Sequence, residues 1–552
     1  MGPARLLGEI VQLATDEIVA QVYEDTTGLK PGDTITGAGE PLSVTLGPSL
    51  LGHIFDGLLR PLSGAGAFVH PGAGSHLDLR FPFTPSVRVG DPMREGEPIG
   101  TIATARQQQC LVPPRRAGVV TWIAAAGEYT EAERICTLRA ADGSAIELTL
   151  TERWPVRRPR PSQRRLPLAG PMITGQRILD TLFPIARGSC AAVPGGFGTG
   201  KTVLQQSLAK WCDADVIVYV GCGERGNEMA EVLDEFPRLE DPRNGRPLME
   251  RTVMIANTSN MPVAAREASI YTAVTAAEYF RDQGLHVALM ADSTSRWAEA
   301  LREVGGRLGE LPGEAGYPAY LSSRLAQFYE RAGRVSTLGG REGSITLIGA
   351  ISPAAGDFSE PVTTHTRRSV RAFWALDRTR AQARFFPSIH PLQSYSGDVE
   401  VLEQWWQAQG NPQWSAQRHR VLELLESESQ LERMARIVGK DALPPAQRLS
   451  LLCAEVVEEG VLRQSAFSEV DRYCSPRRQT ALLGVIVRFV ELAQDALQRG
   501  ASLERIAALP VRQILLRVGE QYGEDRIAAL GELWKQMDQE FAALLAEPAH
   551  AS

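Results

Sequence analysis

Short apolar runs broken by turn residues fill the first 90 positions: Leu6 to Leu13, Glu17 to Tyr23, then Gly-Leu-Lys-Pro-Gly-Asp at 28–33 and Gly37-Ala38-Gly39. Such spacing predicts the β-hairpins of a small barrel or sandwich. From about 81 to 154 the cadence stays β, with Val87 to Asp91, Gly96 to Gly100 and Gly118 to Ile123 bounded by glycines. Between about 170 and 395 the pattern changes. Apolar, β-branched strands are expected at Cys190–Val193, Val216–Cys222, Thr252–Ala256, Val287–Ala291 and Ile345–Ile351, with helices at Lys201–Trp211, Asn227–Phe236, Val263–Asp282 and Leu321–Arg331. Strands alternating with helices predict a mostly parallel sheet covered on both faces. Beyond about 396 the chain reads as helix, for example Gln413–Glu428, Ala446–Gly460 and Gln479–Gln498.

The 81–154 cadence resembles a lipoyl- or biotinyl-type hammerhead. Carriers of that kind need an acceptor lysine, and none stands between Lys30 and Lys201, so a carrier role is excluded and a β appendage that contacts a partner remains. The following stretch, Trp154-Pro155-Val156-Arg157-Arg158-Pro159-Arg160-Pro161 and then Arg164-Arg165, reads as a stiff, extended, solvated strap between domains rather than a nucleic-acid tail.

At 552 residues the chain has room for three or four domains and a sizeable core. With 43% hydrophobic and 22% charged residues it falls in the globular class. A formal charge of −7 argues against coating nucleic acid. No segment reaches the roughly 18 apolar residues that cross a bilayer; even Ala481 to Val490 carries Arg488. Seven widely spaced cysteines without a C-x-x-C pair predict buried free thiols and a reducing compartment. Lysine occurs only at 30, 201, 210, 440 and 535, so a lysine inside a motif carries weight.

That motif is Gly195-Gly196-Phe197-Gly198-Thr199-Gly200-Lys201-Thr202, a complete G-x-x-x-x-G-K-T with a strand before it and a helix after it. Glycines let backbone N–H groups converge on phosphate oxygens, and the helix N-terminus adds partial positive charge. Lys201 is expected on the β- and γ-phosphates of ATP or ADP, and Thr202 on Mg²⁺. Hydrolysis needs carboxylates at the strand ends beside such a loop. His286 to Asp292 is a buried strand ending in an acid, so Asp292 is the expected Mg²⁺-side carboxylate, with a helix N-cap as its other reading. Val216 to Gly223 delivers Glu224 as the water-polarising base and Arg225 as a phosphate or carboxylate partner. A surface ion pair is the alternative for Glu224, and Glu228 is the rival acid.

Four segments carry a resemblance: Gly-Cys-Gly-Glu-Arg-Gly-Asn-Glu-Met (221–229), Met-Ala-Asp-Ser-Thr-Ser-Arg-Trp-Ala-Glu-Ala (290–300), Ser-Ser-Arg-Leu-Ala-Gln-Phe-Tyr-Glu-Arg-Ala-Gly-Arg-Val (322–335) and Asp-Phe-Ser-Glu-Pro-Val-Thr (357–363). Together they resemble the catalytic A subunits of V-type and archaeal-type rotary ATPases, over nearly the whole chain. The resemblance implies a RecA-like α/β P-loop fold. It divides the chain into a truncated N-terminal β-barrel (1–42), the start of the nucleotide-binding domain (43–80), an inserted β bulge (81–154), the P-loop domain (155–395) and a C-terminal helical domain (396–552). It implies Lys201, Glu224 and Arg225 as catalytic residues and Phe386 and Phe467 as the rings enclosing adenine; on sequence alone such aromatics are more often core. The implied partners are a non-catalytic B subunit in an alternating hetero-hexameric ring, central and peripheral stalks and, indirectly, a membrane ion-translocating sector. The implied location is the cytoplasmic face of the membrane. Alternatives are a secretion or flagellar export ATPase, a non-catalytic ring subunit, and a hexameric nucleic-acid motor.

Overall fold

The computed structural model describes residues 1–13, 15–62, 77 and 79–546, so positions 63–76 of the 43–80 segment lie outside the described residues. Two compact units emerge. One comprises Met1–Leu168, Arg187–Ala192 and Ala214–Val370; the other comprises Ala169–Ala186, Val193–Asp213 and Arg371–Ser552.

The first unit is built on parallel strands in the order Glu342–Ile351, His286–Asp292, Val216–Glu224, Thr252–Thr258 and Ile54–Phe55. Residues Val216 to Gly223 are buried without interruption, as strands covered on both faces must be. Parallel register sets Gly221 beside Asp292 and Glu224 beside Thr258, so both acids leave the same edge of the sheet. The helix Val263–Asp282 packs against these strands with 18 of its 20 residues buried. Its alanines allow that close approach. Its charged residues are buried because they are paired: Glu278 binds Arg331 at 2.5 Å and Glu267 binds Arg157 at 2.7 Å.

Those pairs correct the expectation of a solvated strap. Trp154 and Pro155 belong to the strand Glu152–Pro155, which pairs with Ser43–Leu46, and Arg164–Leu166 pairs with Gly333–Ser336. Arg160, with a side chain only 2% exposed, binds Glu152 at 2.5 Å and Asp282 at 2.7 Å and lies over the Trp154 ring. Prolines keep the segment extended, as expected. Carboxylates neutralise Arg157 and Arg160, and Trp154, Val156 and Arg160 are buried, while Arg158, Arg164 and Arg165 stay exposed.

The insert forms two four-stranded antiparallel sheets. Gly127–Thr130, Arg80–Pro85, Pro98–Ile102 and Gln108–Leu111 make one; Ala145–Leu148, Cys136–Arg139, Gly118–Ile123 and Pro92–Met93 make the other. Alternating exposure along Arg80–Pro85 points Phe81 and Phe83 into a shared core with Ile99, Ile102, Ile135 and Leu138. At the N-terminus, Gly8–Leu13 and Ile18–Val22 form an antiparallel pair.

The second unit is mainly helical: Val399–Ala408, Trp414–Val438, Pro445–Val457, Pro476–Gln498 and Leu530–Ala546 are its longest helices after residue 396. Trp414–Val438 runs ten residues past the expected end because Leu431 and Ala435 continue the buried face; it stops at Gly439, whose φ is +89°. Pro476–Gln498 begins three residues early because the Ser475 hydroxyl accepts from the Arg478 amide and Pro476 occupies the first turn. All seven cysteines are free and buried. Burial pushes the Cys222 and Cys453 thiols up to about 12, so neither is a nucleophile at neutral pH. Among the described residues, no helix is long and apolar enough to cross a membrane.

Candidate functional site

The P-loop belongs to the second unit. Gly200 caps the helix Lys201–Trp211 in the left-handed region, at φ +85°, with no side-chain cap. The first-turn amides of that helix therefore stay open to an anion. A Cβ on Gly195 would stand 2.5 Å from Thr199 Oγ1 and 2.9 Å from Leu376, so only glycine fits. Lys201 Nζ donates to the Gly195 carbonyl at 2.8 Å, and Thr199 Oγ1 donates to Gly196 O at 2.8 Å. These bonds curl the loop around its own lysine. Phe197, at the tip, is 80% exposed, and Thr202 is half-buried in the first helical turn.

Phe386 and Phe467 are brought together in the same unit. Both line a cavity of about 880 Å³ with Val203, Arg384 and Gln464. The Ser388 hydroxyl donates to Thr199 O at 2.6 Å, tying the Phe386 segment to the P-loop. The Gln464 amide N–H donates to Phe386 O at 2.7 Å, tying the two aromatic segments to each other. Gln464 also donates through its side chain to Gly175 O at 2.8 Å and accepts from the Arg177 N–H at 2.7 Å. Arg177, fully buried, pairs with Asp471 and donates to Val461 O at 2.7 Å. With Phe467 exposed at 93% and Phe386 at 37%, neither ring is core, and each offers a face to a planar ligand. Sequence reasoning assigned nothing to Gln464, Arg177 or Asp471.

The first unit holds the remaining residues. Asp292 ends its strand 4% exposed and accepts from the Tyr219 hydroxyl at 3.3 Å. Burial, and then the Asp292 carboxylate, push the Tyr219 phenol well above its ordinary range, so the phenol keeps its proton and donates it to Asp292. Asp292 is not a helix cap, since Ser293 takes that position before Thr294–Arg307. Glu224 is the half-buried last residue of its strand. Arg225 is 56% exposed and stands 4.0 Å from Glu228 across the first turn of the helix Gly226–Glu235. Arg296, paired with Glu299 at 3.0 Å on the helix after Asp292, is a cation beside this edge that the motif reading passed over.

Among the described residues no group of three or more His, Cys, Asp or Glu side chains could hold a metal. The donors that the two units offer are hard oxygens, the Thr202 hydroxyl in one and the Asp292 carboxylate in the other. That chemistry suits Mg²⁺, which keeps most of its shell as water and substrate phosphate.

Comparison with known proteins covers the chain in four segments. Residues 2–39 match the ATP synthase alpha/beta family β-barrel domain, 76–157 its barrel-sandwich domain, 175–396 its nucleotide-binding domain, and 403–507 the C-terminal domain of V and A type ATP synthases. The A subunit of the A-type ATP synthase of Methanopyrus kandleri is 51% identical, covering 99% of this chain and 94% of that protein. Its counterpart from Thermococcus sibiricus is 51% identical, covering 98% and 94%. Among solved structures, the assembled type III secretion ATPase of enteropathogenic E. coli superposes with a TM-score of 0.62 at 22% identity, covering 88% of this chain and 93% of that one. That likeness is one of fold and supports the RecA-like architecture.

Proposed function

Because this chain belongs to the family of A-type ATP synthase A subunits, the catalytic subunits of rotary ATPases, we propose that its P-loop binds ATP·Mg²⁺ and that Glu224 directs water at the γ-phosphorus. The observation that carries this reading is the P-loop geometry: an uncapped helix N-terminus and a lysine curled into a glycine-lined loop. Lys201 holds the β- and γ-phosphates. Thr202 and Asp292 hold Mg²⁺, which when bound offsets charge on the phosphate oxygens. Glu224 orients the attacking water and takes its proton, while Arg225 stabilises charge on the equatorial oxygens of a loose transition state. Phe386 and Phe467 stack on adenine in the 880 Å³ cavity.

A non-catalytic B subunit in an alternating hetero-hexameric ring supplies the trans cation. Stalk subunits carry the coupling to an ion-translocating sector, with this chain on the cytoplasmic face of the membrane. The expected result is that Glu224→Gln leaves ATP binding intact and abolishes multiple-turnover hydrolysis by the assembled complex. Turnover near that of the parent would end the proposed role of Glu224. A non-catalytic ring subunit is disfavoured because the sequence carries both Lys201 and Glu224.

A further inference from the structure

A second polar cavity, of about 590 Å³, lies wholly in the first unit, between the strap, the helix Val263–Asp282 and the helix Leu321–Tyr329 with the strand after it. Six arginines line it (Arg157, Arg160, Arg165, Arg281, Arg324 and Arg331), against two glutamates, Glu278 and Glu330. Four of the six are neutralised by carboxylates. Arg157 binds Glu9 at 2.9 Å and Glu267 at 2.7 Å; Arg160 binds Glu152 and Asp282; Arg281 binds Asp282 at 2.6 Å; Arg331 binds Glu278 at 2.5 Å.

The other two differ. Arg165 donates to the Glu330 carbonyl, and Arg324 lies 5.6 Å from the Tyr320 ring centre. Among the described residues neither is in an ion pair. Arg160 adds a second sign: the residue is 5% exposed, yet its Nη1 has no hydrogen-bond partner. Arg165 is exposed and Arg324 half-buried, so both guanidiniums stay hydrated and available to a ligand, whereas the buried Arg160 Nη1 is the donor that packing leaves unsatisfied. Guanidinium forks match the paired oxygens of phosphate and carboxylate groups, and the volume is that of a small-molecule site.

The geometry points to a site for a small polyvalent oxyanion in this cavity, held chiefly by Arg165 and Arg324 and separate from the P-loop residues. Inorganic pyrophosphate and citrate are the probes, titrated calorimetrically into the full chain carrying Lys201→Ala, and in parallel into the parent chain saturated with ADP·Mg²⁺ in case that variant folds poorly. The expected result is one saturable site whose affinity falls with salt and weakens tenfold or more in Arg165→Gln/Arg324→Gln, with an unchanged melting temperature in the absence of probe. A preference for pyrophosphate assigns a phosphate-bearing ligand, and equal or better binding of citrate a carboxylate-bearing one. Absence of saturable binding, or binding untouched by the double substitution, would overturn the assignment.

Discussion

The P-loop and the arginine-rich strap are both short, basic, conformationally restricted segments, and the chain uses them in opposite ways. At the P-loop, one lysine faces the loop's own carbonyl, and the amides of an uncapped helix stay open. In the strap, Arg157 and Arg160 are locked to four carboxylates from three other segments. The bond from Lys201 to the Gly195 carbonyl is one that a ligand oxygen can replace. A cation meant for structure is matched by buried charge, and breaking that match is expensive.

The largest effect that tests this contrast is Lys201→Ala, expected to lower ATP hydrolysis by the complex on the order of a thousandfold or more while leaving the urea midpoint of the chain nearly unchanged. A large stability loss there would erase the distinction. Next is the converse. Glu278→Gln strands Arg331 in a site where both side chains are at most 3% exposed, and should destabilise the first unit by about 3–5 kcal/mol in urea melts. Adding Arg331→Met should recover part of that loss, because the stranded charge rather than the missing bond dominates it.

A smaller change concerns the aromatic cavity. Phe467→Ala, at a 93% exposed ring, should alter stability by less than about 0.5 kcal/mol and raise the KM for ATP by roughly three- to tenfold, with kcat held. A Tm loss of several degrees would instead make the ring structural. The smallest effect is on pH dependence. Burial, then Glu458 and Glu432, raise Glu428 to about 8. A raised acid favours the protonated folded state, so its contribution to stability is complete below about 4.5 and is lost as pH rises towards 8. Glu428→Gln should flatten that slope, measured as Tm between pH 5 and 9; an unchanged slope would assign the dependence elsewhere.

Much of the site was legible without coordinates, for a reason visible in the residues. The P-loop is contiguous, and its function depends on backbone amides and glycine conformations that spacing alone encodes, as at Gly195 and Gly200. The placing of Glu224 and Asp292 at strand ends was legible because each follows a short apolar run that reads as a buried strand with the acid at its end. The strap was misjudged because composition reports that a segment is basic and not what faces it. Glu9, Glu267 and Asp282 reach it from 100 or more residues away in sequence. Gln464, Arg177 and Asp471 went unassigned for the same reason, since their partners are separated by nearly 300 residues.

By itself the sequence determined the strand and helix periods, the phosphate loop and the acids at the strand ends, because each is written in local spacing that the backbone must obey. Only the tertiary structure decided which arginines are core and which remain for an anion, and that two exposed phenylalanines share one cavity. Burial and charge compensation depend on residues distant along the chain, and no local pattern carries that information.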